Sequence, residues 1–163
     1  GFAAEIGHIP LVPHGRPCGC GRFGCWEAYS SGNALVREAR DVATNAPREA
    51  ARLLELAGGS AENITGPMVT KAAEEADATA LACFTAIGSW MGFGLADLAA
   101  TLDPEIFVLA GGVCETGDLL LAPTRESFHN LLTAAAHRPV IPIGVAMLGN
   151  EAGIIGAADL ARQ

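Results

Sequence analysis

Between Ala78 and Ala96 the chain carries no charge at all, reading ATALACFTAIGSWMGFGLA. A helix that is apolar on every side has to be buried, in lipid or among other helices. This one is rich in Ala, Gly, Thr and Ser, poor in Leu and Ile, and has no Lys or Arg at either flank. Those features favour the core helix of a folded domain over a membrane span. Gly88 and Gly92, four residues apart, share one helix face and let a second helix come close. Asp103-Pro104 ends the helix, because the residue before a proline avoids the α region. With half of its 163 residues apolar, the chain can bury one substantial core or two small lobes.

The other elements are short. Ser31 or Asn33 can cap a helix through about Asp41, since Ala34, Leu35, Ala39 and Val42 recur at helical spacing. Pro47 opens another that Gly58-Gly59 closes, and Thr65-Gly66-Pro67 starts a third. Upstream, the apolar stretch from Ile6 to Val12 reads as a strand entering a turn at Pro13-His14-Gly15. Past the core helix comes a strand from Ile106 to Leu109, then Gly111-Gly112, then a helix over about Asp118–Ala136. A strand from about Val140 to Leu148 and a helix from Glu151 to Ala161 complete a βαβα unit. The fold class is therefore α/β with a mostly parallel sheet. A net charge of −8 without any Lys/Arg cluster argues against nucleic-acid binding by phosphate neutralisation. An anionic substrate has to be held by local dipoles or by an ion. The opening GFAAEIGH has neither the charged nor the apolar region of a signal peptide, and it reads as the middle of a longer protein located in the cytoplasm.

Three of the five cysteines crowd into CGCGRFGC, at Cys18, Cys20 and Cys25. A disulfide framework fits poorly: the total is odd, and Cys18 and Cys20 are too close to bridge each other. A Cys-x-x-Cys redox pair is absent, and Cys83 and Cys114 read as small buried hydrophobes. Zinc fits better, because three thiolates and one imidazole form a closed tetrahedral set. Gly19, Gly21 and Gly24 give the backbone the freedom to bring three sulfurs together. The fourth ligand is His8 or His14, and spacing alone leaves both open.

The run E-I-G-H, then P-C-G-C-G-x-x-G-C-W-E, then A-Y-x-S-G, from Glu5 to Gly32, resembles the signature of the ROK family of sugar kinases and repressors, its glucose-phosphorylating members above all. Weaker agreement continues in VLAGGV and LGNEAGIIGAADLA, so the resemblance covers the whole chain but only the family's second half. It implies an actin-like, ribonuclease H-like ATPase fold of the hexokinase type, of which residues 1–163 form the carboxyl-terminal lobe. The D-x-G-x-T phosphate motif and the catalytic aspartate are then expected in an amino-terminal lobe outside this chain. The resemblance implies zinc on His8, Cys18, Cys20 and Cys25, a hexose (glucose) held by Glu5, His8 and Glu27, and ATP with Mg²⁺ as donor, approached by the backbone of Gly111 and Gly112. It also implies a homodimer or higher homo-oligomer.

The chemistry agrees with these roles. Carboxylates accept two hydrogen bonds from sugar hydroxyls in fixed geometry, and charge-assisted bonds are the stronger ones. A His bound to metal through one ring nitrogen must carry its proton on the other. In a strand Glu5 and His8 face opposite sides, so Gly7 is where the chain is expected to bend. Ala4 departs from the pattern, standing where many family members have Gly. A sugar-sensing repressor of the same family and a stand-alone zinc-stapled assembly domain are the competing readings; the first needs a helix-turn-helix module ahead of this region.

Overall fold

The computed structural model of the chain describes residues 4–162. Six helices and two strands follow in the order α1 (Gly32–Asn45), α2 (Ala51–Leu56), α3 (Gly66–Glu74), α4 (Ala78–Leu102), β1 (Phe107–Leu109), α5 (Asp118–Leu131), β2 (Ile143–Val145) and α6 (Ala152–Leu160). Helix α4 is the axis of the domain. Asp77 caps it by accepting a hydrogen bond from the Ala80 amide at 2.8 Å, and Asp103 ends it in the left-handed region at φ 45°. It buries Ala80, Phe84, Ile87, Met91, Leu95 and Leu98 on several faces, with α1 and α3 on one side and α5 on another. Its length and composition would suffice to cross a bilayer, but these neighbours give it a protein core instead.

Gly88 and Gly92 do what their spacing predicts, and the partner is α5. A methyl at Gly92 would stand 2.5 Å from the Thr124 carbonyl oxygen and 2.6 Å from the Phe128 amide nitrogen. At Gly88 it would meet the Pro123 ring at 2.7 Å. Pro123 lies inside α5, where it removes a backbone donor and usually kinks the helix; here its ring occupies the space that Gly88 leaves.

Strands β1 and β2 pair in parallel with Phe107 opposite Ile143 and Leu109 opposite Val145. Helix α5 covers the ribbon: Phe128 meets Phe107 edge-on at 5.8 Å, and Arg125 Nη2 donates to the Ile143 carbonyl at 2.9 Å. The opposite face is open. Val108 is 59% exposed, and α6 shows its apolar side chains to solvent, with Ile154 at 75% and Leu160 at 70%.

Several boundaries differ from the sequence reading. Residues 6–12 form no strand. Ile6–His8 is a 3-10 turn, and Leu11 and Val12 both donate to the Gly24 carbonyl, so the segment folds back on the cysteine loop. Pro10 and Pro13 could not have donated to a ladder. Ser31, not Asn33, caps α1, accepting from the Ala34 amide at 3.1 Å, and α1 continues past Asp41 to Asn45. Pro47 lies in a turn ahead of α2 rather than in its first turn, and Gly58 and Gly59 follow α2 at φ 67° and 88°. Helix α5 stops at Leu131, five residues before Ala136, because Leu132 is extended and Ala134 is left-handed. Strand β2 begins only at Ile143, after Pro139 and Pro142, neither of which has an N–H to give.

Candidate metal centre and functional site

The cysteine loop is a knot of turns. The Cys18 amide donates to the Arg22 carbonyl at 2.8 Å and the Gly21 amide back to Cys18 at 3.0 Å, while Pro10 bridges to Cys25 and Pro17 to Phe23. Gly24 is required here: its φ is +74°, and a Cβ would collide with the Val12 carbonyl. Gly19 meets no such constraint.

This winding brings one ligand atom from each of His8, Cys18, Cys20 and Cys25 within 4.8 Å of all the others. His8 Nδ1 lies 3.5 Å from Cys18 Sγ, and Cys20 Sγ lies 3.6 Å from Cys25 Sγ. Tetrahedral zinc with bonds of ~2.3 Å to sulfur and ~2.0–2.1 Å to nitrogen sets the edges of its polyhedron at ~3.8 Å for S···S and ~3.6 Å for S···N. The separations and the donor chemistry therefore fit zinc, and His8 is the histidine that joins the thiols. His14 is exposed, in the left-handed region at φ 57°, and outside the cluster. The thiols are unequal: the Arg22 backbone amide draws Cys20 down to about 7, whereas burial pushes Cys25 up to about 11. Cys83 and Cys114 are buried apart from the cluster, and burial raises both thiols.

Glu27 follows in the 3-10 turn Trp26–Ala28, its carboxylate half exposed and Oε2 3.6 Å from His8 Nδ1. Glu5 sits at the head of the 3-10 turn Ile6–His8. The turn replaces the kinked strand expected at Gly7, and the His8 amide donates to the Glu5 carbonyl at 3.0 Å. Gly7 itself backs onto Glu27, where an added Cβ would touch Glu27 Cβ at 3.5 Å. Ala4 lies at φ 69°, a left-handed conformation that glycine adopts freely and alanine does not.

At the carboxyl end of β1, Gly111 turns the chain at φ 105°, and neither Gly111 nor Gly112 has an atom within 4 Å of where a side chain would start. The space beside them is a groove between α3 and the turn Gly112–Thr116, lined by Pro67, Thr70, Lys71 and Glu74 from α3 together with Gly32 and Val113. Sequence reasoning missed these residues, although 67, 70, 71 and 74 follow the helical repeat and mark one face of α3. A second cavity, lined by Gly7, Trp26, Glu27, Met91 and Leu109, runs from the Glu27 side toward the end of β1.

Comparison with known proteins accords with this geometry. The whole chain, residues 1–163, matches the ROK family. A curated glucokinase of Streptomyces coelicolor is 46% identical over 163 residues, which is 100% of this chain and 51% of that protein. A glucokinase of Halalkalibacterium halodurans is 37% identical over 168 residues, covering 100% of this chain and 48% of its own length. Among solved structures, a ROK family glucokinase from Streptomyces griseus in complex with glucose and AMPPNP superposes with a TM-score of 0.93 at 48% identity, over 99% of this chain and 52% of that one. The chain thus spans about half the length of the relatives it matches, and over that span it belongs to the ROK family.

Proposed function

We propose that residues 1–163 are the carboxyl-terminal lobe of an ATP-dependent hexose kinase that phosphorylates glucose to glucose 6-phosphate. One observation carries this reading: the His8–Glu27 pair, 3.6 Å apart and tied to a four-ligand cluster, in a chain 48% identical to a glucokinase solved with glucose and a nucleotide analogue.

In this reading Glu5, His8 and Glu27 bind the sugar. A zinc ion at this cluster would be held by His8, Cys18, Cys20 and Cys25, and with its protein ligands complete it would serve as a structural anchor for the loop. With His8 Nδ1 facing the thiols, Nε2 carries the ring proton and is a donor of fixed direction toward a sugar hydroxyl. Glu27 and Glu5 accept hydrogen bonds from hydroxyls, orienting the ring and excluding water from one of its faces. The open backbone of Gly111 and Gly112 admits the nucleotide, whose base and ribose lie in the groove along α3; ligands of such sheets bind beyond the carboxyl ends of strands. In-line phosphoryl transfer also needs Mg²⁺ and a base for the attacking hydroxyl. We assign the base to an aspartate outside these residues, so the 163-residue chain by itself does not turn over glucose. Normal turnover by the purified chain would refute that assignment.

The test of the sugar site is Glu27→Gln. It removes the charge of a charge-assisted hydrogen bond, about 1.5–3 kcal/mol, and so weakens glucose binding by about one to two orders of magnitude while leaving the metal in place. Unchanged glucose affinity measured by calorimetry, with zinc intact, rejects the site.

A further inference from the structure

Glu27 is half exposed, yet the residue before it is one of the most firmly held in the domain. Trp26 is 8% exposed. Its amide donates to the Ile9 carbonyl at 2.9 Å, one residue beyond His8. Its indole Nε1 donates to the Trp90 carbonyl of α4 at 2.8 Å. Its own carbonyl accepts the amides of Tyr29 and Ser30, which closes the turn around Glu27. The indole can reach an α4 carbonyl only because the helix surface is missing a side chain there. At Gly94 even a methyl group would fall inside the contact distance of the ring atoms Cδ2, Cε2 and Cζ2. Gly94 is thus a notch cut to the indole, on the most deeply buried helix of the fold, and distinct from the Gly88 and Gly92 positions that seat α5.

We propose that Trp26, seated in the Gly94 notch, is a positioning residue that sets where Glu27 stands relative to His8. The inference rests on the reading of Glu27 as a sugar ligand. A metal bound at the cluster would fix His8 and Cys25, but Glu27 lies two residues beyond Cys25 on a half-exposed turn. A single-turn 3-10 segment has poor hydrogen-bond geometry and little stiffness of its own. The indole contact supplies the missing constraint by referring that turn to α4. Because the same α4 also carries α5, which follows Gly111 and Gly112, the sugar carboxylate and the nucleotide loop are held against one common rod.

The experiment uses Trp26→Phe, Trp26→Leu, Gly94→Ala and the double variant Trp26→Leu/Gly94→Ala in the complete protein that carries residues 1–163. Zinc content, glucose affinity and crystal structures are determined for each. Positioning predicts that Trp26→Phe and Gly94→Ala retain zinc and a cooperative thermal transition, that Glu27 moves away from His8, and that glucose affinity falls about tenfold, the loss of one well-made bond. In the Trp26→Leu background, Gly94→Ala adds little, because both changes break the same contact. A purely structural role lowers thermal stability but leaves Glu27 within 3.6 Å of His8 and glucose affinity unchanged, and that result overturns the proposal; so do effects of the two substitutions that add in full. Failure of the functional reading looks different. If the complete parent protein binds no glucose, or Glu27→Gln leaves its affinity unchanged, the sugar site falls, and the Glu27–His8 separation in the variant crystals still decides whether Trp26 positions that side chain.

Discussion

The α4–α5 contact offers a sharp test of the packing, through Gly92→Ala. In an exposed helix this substitution gains about 1 kcal/mol, because alanine loses less backbone entropy than glycine. Here the new Cβ would lie 2.5 Å from the Thr124 carbonyl oxygen, 2.6 Å from the Phe128 amide nitrogen and 2.6 Å from Ser127 Cβ. Two of the three are backbone atoms of a regular helix, so no rotamer change relieves the clash and α5 has to retreat by roughly 1 Å to reach an ordinary contact distance. A gap of that size forfeits about a quarter to a half of each dispersion contact. Leu120, Leu121 and Phe128 are the large α5 side chains buried against the core. At about 2 kcal/mol each for burial, the three together represent about 6 kcal/mol, and the retreat costs about 1.5–3 of that. Set against the helix-propensity gain, the net is about 0.5–2 kcal/mol of destabilisation, or roughly 1–8 °C in Tm for a chain of this size. Thermal denaturation followed by circular dichroism measures it. Gly156→Ala on exposed α6, where nothing lies within 4 Å, is the control and is expected to be neutral or mildly stabilising. A Gly92→Ala protein as stable as the Gly156→Ala protein would show that α5 does not sit where its backbone abuts α4, and the reasoning fails.

Two further outcomes are expected. Cys20→Ser removes one of the four proposed metal ligands, so bound zinc is lost and the loop ahead of Trp26 loses its protection from proteolysis, while the helical core keeps a Tm close to the parent's; metal content equal to the parent's by atomic absorption would rule the site out. Ala4→Gly relieves a left-handed alanine at φ 69° and should raise stability by about 0.5–1 kcal/mol, seen as a higher urea midpoint at constant m-value; a lower midpoint contradicts the strained backbone.

Much of the scaffold was legible because its signals are local. The charge-free run from Ala78 to Ala96, with Asp77 before it and Asp103-Pro104 beyond it, brackets α4, and Gly88 with Gly92 announces a close neighbour, although nothing local says that the neighbour is α5. The gathering of the three loop cysteines was legible in composition, since thiols interleaved with glycines have few other uses. The choice of His8 over His14 came from the resemblance to the family and not from spacing, because it depends on how the loop winds in three dimensions. The apolar stretch 6–12 misled for a physical reason: hydrophobic residues near a metal knot are held by turns and ligands, so alternation no longer reports on strand pairing. The α3 groove and the Gly94 notch stayed hidden because each is made by residues far apart in sequence, and a glycine in a helix does not reveal which ring lies over it.

The described residues ahead of Cys25 contribute no fully buried hydrophobic side chain, whereas the core runs from Trp26 to Ile143. The helical body is therefore stabilised by burial, and the cysteine knot, in the proposed reading, by coordination. Assembly should then proceed in two stages, with the bundle forming unaided and the knot closing over it only once an ion is captured. Metal supply would act as a licence for substrate recognition in a molecule already folded, and chelation would silence the sugar-binding arm while leaving the rest of the domain standing.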